Sequence, residues 1–189
     1  MKFKNIEEKY KDLIDIAKEY MYTINDNEHD INHMNDVVEY TKKILSNINE
    51  KLDEDACIIG AYWHDVGRTK IQEGHEKMSV HMLVETMRKM NYDEEFIKRC
   101  SDSIEFHKWN MTPKTIEGLV VKDADKIAWL GSGRWKSCIN KRQRIDSIVE
   151  LLPKLRNEIL HFDYSKKLYD EEIINVLKIL YSEIYKEIS

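Results

Sequence analysis

The sequence predicts an all-α protein, one bundle of about eight helices, and three observations carry that expectation. Apolar residues recur at intervals of three and four along nearly the whole chain, and no stretch alternates for long enough to form a strand. The 189 residues include only 6 glycines and 2 prolines, which leaves few places for the backbone to break. Polar runs such as NDNEHD and GRTKIQEG separate the periodic stretches, with helix-capping residues at their edges.

Taken in order, the first helix is expected over about residues 5 to 22, with Ile6, Leu13, Ile16, Ala17 and Tyr20 on one face. Asp30 is a good N-cap for the second, which carries Ile31, Met34, Val37, Val38, Thr41, Ile44 and Ile48. Asp53 or Glu54 opens the third, which runs to His64 and Asp65 and is expected to stop at Gly67. The fourth covers about 75 to 90, its Met78, Met82, Leu83, Met87 and Met90 spaced for core packing. Asp93 caps a fifth, with Ile97, Cys100 and Ile104 in line, and Pro113 starts a sixth, which ends at Gly131. After the loop GSGRWKSCINK, amphipathic helices are expected at about 141 to 160 and 166 to 187, the first kinked or split by Pro153.

A chain of this length fits one domain with a core that needs no disulfide or structural metal. The net charge of −5 argues against general nucleic-acid binding, which depends on clustered Lys and Arg. Cys57, Cys100 and Cys138 are odd in number and lack a CxxC spacing, so they suggest neither a disulfide framework nor a cysteine zinc site, and a reducing cytoplasm is the simplest expectation. The first twenty residues are charged at helical intervals, unlike a signal peptide, and no run approaches the roughly 20 apolar residues of a membrane span. A soluble cytoplasmic protein with no membrane partner is expected; the oligomeric state is left open.

A helix advances about 100° per residue, so each apolar line can be extended until it meets a polar residue. On the second helix Val37, Thr41, Ile44 and Ile48 extend back to His33, and on the third Cys57, Ile58 and Ala61 extend to His64 and Asp65. On the fifth Ile97, Cys100 and Ile104 extend to His107, while on the sixth Val121 and Ala128 bracket Asp125. An unpaired buried carboxylate costs several kcal/mol, so inward Asp65 and Asp125 require a cation, a hydrogen-bond network or water. A single inward histidine is more often bonded to a backbone carbonyl, and Asp65 alone fits a helix cap. Together, two imidazoles and two carboxylates make a mixed N/O set for Mn²⁺, Fe²⁺, Zn²⁺ or Ni²⁺.

This arrangement resembles the HD superfamily of metal-dependent phosphohydrolases: a histidine on an early helix, an adjacent His-Asp pair, then a distant aspartate. Here those positions are His33, His64 with Asp65, and Asp125, within AYWHDVGR and EGLVVKDADKIAWLG over about residues 29 to 131. The likeness is to small stand-alone bacterial members. It implies an HD-type helical fold and one or two divalent ions (Mn, Fe, Ni, Zn or Mg), with His64 and Asp65 at the catalytic centre. The implied reaction is attack of a metal-activated water on a small phosphate ester, a nucleotide or related metabolite. His75 and His107 resemble the extra histidines that hold a second ion or contact phosphate. With two ions Asp65 would bridge them; with one, His75 or His107 would serve as an acid or phosphate contact. Two departures stand out: Asp36 replaces the arginine often found three residues after the first histidine, and Lys108 follows His107 with no GYP triplet, which disfavours the cyclic di-GMP branch. A non-catalytic metal- or nucleotide-binding signalling module and a di-iron oxygenase of the same fold are the alternatives.

Arg68, four residues after His64, is placed to reach a substrate phosphate, and Lys70, Lys122 and Lys126 are lesser candidates whose default is a solvated surface charge. Asp123 competes with Asp125 but points elsewhere, so it reads as a supporting or surface residue. His29 falls outside the second helix and reads as surface or supporting, His81 as structural and His161 as exposed. Arg134, Lys136, Lys141, Arg142 and Arg144 read by default as a solvated basic face.

Overall fold

The computed structural model describes residues 2–24, 29–131, 134–136 and 145–188. Nine α-helices and no strand occur among them: α1 Lys2–Lys9, α2 Lys11–Tyr22, α3 Ile31–Leu45, α4 Glu54–Trp63, α5 His75–Lys89, α6 Glu94–Ile104, α7 Ile116–Gly131, α8 Ile145–Lys154 and α9 Asp163–Ile188. A 3-10 turn, Val66–Thr69, links α4 to α5, and a π turn, Leu155–Ile159, follows α8. No helix among the described residues is long and apolar enough to cross a membrane.

The helix α4 is the axis of the fold. Its residues from Ala56 to Trp63 are all buried, apolar on every side, which is the pattern of a helix surrounded by others. It packs against α1, α2, α3, α5, α6 and α7. Gly60 permits the closest of these approaches, because a Cβ there would stand 2.1 Å from Ser103 Oγ on α6. Asp30, Asp53 and Asp93 each accept hydrogen bonds from backbone N–H groups in the first turn of α3, α4 and α6, as their capping positions predict.

The boundaries differ from expectation where tertiary contacts intervene. The first helix breaks at Tyr10, which is buried, stacks on Phe96 with ring centroids 5.3 Å apart, and donates its hydroxyl to Asp55 Oδ2 at 2.7 Å. The sixth expected segment becomes helical only at Ile116; Thr115 Oγ1 accepts from Gly118 N at 3.2 Å, so threonine rather than Pro113 caps it. Pro153 remains inside α8, whose regular hydrogen bonding gives way just after it to the π turn. Gly67 does not end α4, which already stops at Trp63, and its backbone is not left-handed.

Asp123 is buried rather than on the surface, and its carboxylate accepts from His161 N at 3.0 and 2.9 Å and Phe162 N at 3.1 Å. It ties α7 to the turn before α9, and burial pushes its carboxyl up to about 6 against those bonds. Asp123→Ala is expected to lower stability by about 2–6 kcal/mol in urea unfolding, since two backbone donors lose their acceptor at roughly 1–3 kcal/mol each. A change under about 0.5 kcal/mol, the range of an ordinary surface substitution, would contradict this role.

Arg134 belongs to no solvated face. Its guanidinium is largely buried and donates to Asp36 Oδ2 at 2.9 Å and Asp30 Oδ1 at 3.0 Å, so the aspartate that replaces the expected arginine is met by an arginine from after α7. Lys136 is exposed; Cys138, Lys141, Arg142 and Arg144 lie outside the described residues.

Candidate metal centre

Six predicted residues meet at one end of the bundle, mostly from helix ends, where side chains can converge without the helices touching. His33 sits in the first turn of α3, held where Asp30 caps that turn. His64 and Asp65 follow the last turn of α4, His75 opens α5, His107 comes three residues after α6, and Asp125 lies mid-way along α7. All six are buried.

Their donor atoms form two groups, His33 with His64 and Asp125, and Asp65 with His75 and His107, the atoms of each lying within 4.8 Å of one another. Asp65 faces both. Its Oδ2 stands 3.5 Å from His64 Nε2 and 3.8 Å from His33 Nε2, while Oδ1 stands 3.1 Å from His75 Nε2 and 3.6 Å from His107 Nε2. His33 Nε2 is also 3.1 Å from Asp125 Oδ1. Ligands held about 2.1 Å from one ion stand about 3.0–3.5 Å from each other, so these spacings need little contraction to hold an ion.

Backbone carbonyls orient three of the imidazoles. Nδ1 lies 2.8 Å from Ala61 O in His64, 2.9 Å from Gln72 O in His75 and 2.8 Å from Ile104 O in His107, each carbonyl three residues earlier. A carbonyl only accepts, so the proton is on Nδ1 and the Nε2 lone pair points into the site, as metal-binding histidines require. His64 Nε2 is buried with no hydrogen-bond partner among the described residues. His75 Nε2 and His107 Nε2 face each other at 3.3 Å, an approach that two lone pairs resist unless a proton or metal ion lies between them. The donor set therefore fits divalent ions. Carbonyl bonding, the ordinary role of a core histidine, and ligand presentation occur here on opposite nitrogens of the same ring.

The electrostatics agree. Burial drives His64 down to about 4, against the pull of Asp65 and Asp125, so its ring is neutral at pH 7. Burial pushes both carboxyls up, but neighbours outweigh it: His64, Arg68, His107 and His75 hold Asp65 well below the usual range, and Lys126, His33 and His64 do so for Asp125. Both carboxylates are therefore ionised at neutral pH.

The site opens into a cavity of about 230 Å³. Arg68 lines it, its Nε 2.8 Å from Asp65 Oδ1. Lys126 lines it too, buried rather than solvated, with Nζ 2.5 Å from Asp125 Oδ2. Lys122 is also buried, but its amine donates to the carbonyl of Met111 and serves to tether the 105–115 segment to α7. Lys70 is exposed and is not among the residues that line the cavity. His29 lies at the cavity wall, edge-on to His33 with centroids 5.9 Å apart. His81 and His161 are exposed. Helical periodicity does not reveal Lys108, Trp109, Asn110 and Trp129 on the cavity wall; the first three stand in a non-helical segment with no phase to extend. It also misses buried Glu76, whose Oε2 holds Lys108 Nζ at 2.8 Å.

Residues 30–130, more than half of the chain, match the model of the HD domain family. A search of curated proteins finds no match. Among solved structures, one described as a "predicted HD superfamily hydrolase" from an uncultured Thermotogales bacterium is similar at 21% identity and a TM-score of 0.69, covering 93% of this chain and 91% of its own. That likeness shows a shared all-helical fold. The His-Asp pair that follows α4, joined by a histidine from α3 and an aspartate from α7, thus lies inside the matched region, and the chain belongs to the HD domain family.

Proposed function

We propose that the protein hydrolyses a small phosphate ester, with nucleotides the first class to test, and that Asp65 would help to hold divalent metal at both groups of histidines. The observation that carries this reading is the split of Asp65: each carboxylate oxygen faces its own set of histidines. Charge supports it. Of the four buried carboxylates among the described residues, Asp65, Glu76 and Asp125 are matched one to one by Arg68, Lys108 and Lys126, at 2.8, 2.8 and 2.5 Å, while Asp123 is met by backbone N–H groups. Any divalent ion added to this balanced set leaves an excess of positive charge, and a phosphate is the anion that offsets it.

Bound at these residues, a divalent metal supplies a water of lowered pKa and withdraws charge from a phosphoryl oxygen. His33, His64, Asp65 and Asp125 would hold the first ion, and Asp65, His75 and His107 the second. Arg68 offers paired N–H donors to phosphoryl oxygens, and Lys126 a point charge from the facing wall. Neutral His64 contributes a lone pair without adding positive charge, so the cationic excess stays where the phosphate binds.

Protein purified without chelator is expected to carry Mn, Fe, Ni, Zn or Mg, and to release phosphate from at least one member of a panel of nucleotides and sugar phosphates. Chelation followed by readdition of metal at 100 times its Kd should raise the melting temperature by roughly 5–10 °C, from about 2.7 kcal/mol of linkage. Absence of both metal and turnover would sink the proposal. Bound metal without turnover fits a binding module instead, and oxygen consumption without phosphate release fits a di-iron oxygenase.

A further inference from the structure

We propose that Trp109, Trp129 and Asn110 form a leaving-group subsite that takes a flat, hydrogen-bonding ring, which makes the ester a nucleoside monophosphate; this rests on the hydrolase reading above. The chain has four tryptophans, and they divide cleanly. Trp63 and Trp135 are 0% exposed and belong to the core, whereas Trp109 and Trp129 are half-buried and line the cavity that holds the metal-site residues.

The two cavity tryptophans come from different elements, the segment after α6 and the last turn of α7. They meet edge to face, centroids 5.2 Å apart and planes at 85°, so each ring fixes the other's orientation. Lys126 joins this corner to the metal site: its Nζ lies 4.8 Å from the Trp109 centroid and 2.5 Å from Asp125 Oδ2. A ring against the corner and a phosphoryl group beside Asp125 are therefore separated by about one lysine head group, a span that the sugar of a single nucleotide covers. Asn110, exposed at the mouth, carries both a donor and an acceptor for a base edge. The cavity, about 230 Å³, is smaller than the roughly 300–1,000 Å³ of pockets for drug-sized ligands, which favours a small ester.

The test compares kcat/KM for the four nucleoside 5′-monophosphates with that for ribose 5-phosphate in the metal-loaded protein. Wild type should prefer a nucleotide, and Trp109→Leu should lower that preference by roughly 10- to 100-fold, the range carried by one base stack, with Trp109→Phe restoring part of it. In chelator-treated protein the corresponding nucleoside, which lacks phosphate, should quench tryptophan fluorescence saturably, and Trp129→Leu should weaken it. The subsite is overturned if wild type prefers ribose 5-phosphate, if Trp109→Leu reduces both esters equally, or if no nucleoside quenches the fluorescence. Quenching without turnover of any ester would sustain the subsite and overturn the hydrolase reading alone.

Discussion

Asp65→Ala is expected to purify with little or no metal and to lose turnover by roughly 10³-fold or more, while its helical circular dichroism remains. The metal is asked to supply several kcal/mol of charge stabilisation, and each 1.36 kcal/mol is tenfold in rate. Asp65 presents one carboxylate oxygen to each group of histidines, so removing it affects both at once. It also strips Arg68 of its ion pair and leaves a guanidinium beside two imidazoles, which repels a cation. Metal analysis by mass spectrometry and phosphate release together check this. Full metal content with turnover within about tenfold of wild type would show that the histidines suffice, against the charge argument. Asp65→Asn separates charge from shape: it keeps the size of the side chain and should retain metal poorly.

Gly67→Ala is expected to destabilise the fold by about 2–4 kcal/mol, a fall in melting temperature of roughly 5–15 °C, and to weaken metal retention in what remains folded. A Cβ at Gly67 would stand 2.2 Å from the carbonyl oxygen of His75, 2.5 Å from Ser79 N and 2.9 Å from Met78 Cβ. Two of these are backbone atoms in the first turns of α5, so no rotamer change relieves the clash and the helix must move. The same contact carries Gly67 N to Ser79 Oγ at 2.8 Å and Ser79 Oγ to His64 O at 2.8 Å. Moving α5 therefore takes His75 away from Asp65 and loosens the end of α4. Calorimetry and metal stoichiometry are the measurements; a melting temperature within about 2 °C of wild type would show that α5 yields freely.

Helical phase is a local property, and the parts of the molecule that depend on it are legible in the amino-acid sequence alone. Extending the apolar lines of Val37 to Ile48, of Cys57 to Ala61 and of Ile97 to Ile104 leads to His33, His64 with Asp65, and His107, which the fold brings together. Asp30, Asp53 and Asp93 are legible for the same reason, since a cap needs only its own first turn. What escapes depends on distant partners. Tyr10 breaks a periodic helix because Asp55 and Phe96 wait for it on other elements. Lys122 and Lys126 look like surface charges until Met111 O and Asp125 are placed beside them. Gly67 reads as a helix stop because glycine often is one, and its real office, the approach of α5, is visible only once α5 is docked.

The carbonyl ties on His64, His75 and His107 have a wider consequence. Each ring takes its aim at Nδ1 from a carbonyl of its own backbone three residues back. The ion-holding cage and the wall made by Trp109, Asn110 and Trp129 are thus distinct parts, joined through Lys126 and through the Lys108–Glu76 pair that stands beside His107 and His75. A library confined to Trp109, Asn110 and Trp129, with Lys108 kept as the partner of buried Glu76, would retune what the protein accepts and leave the cage standing, so selectivity and chemical power here can be varied one at a time.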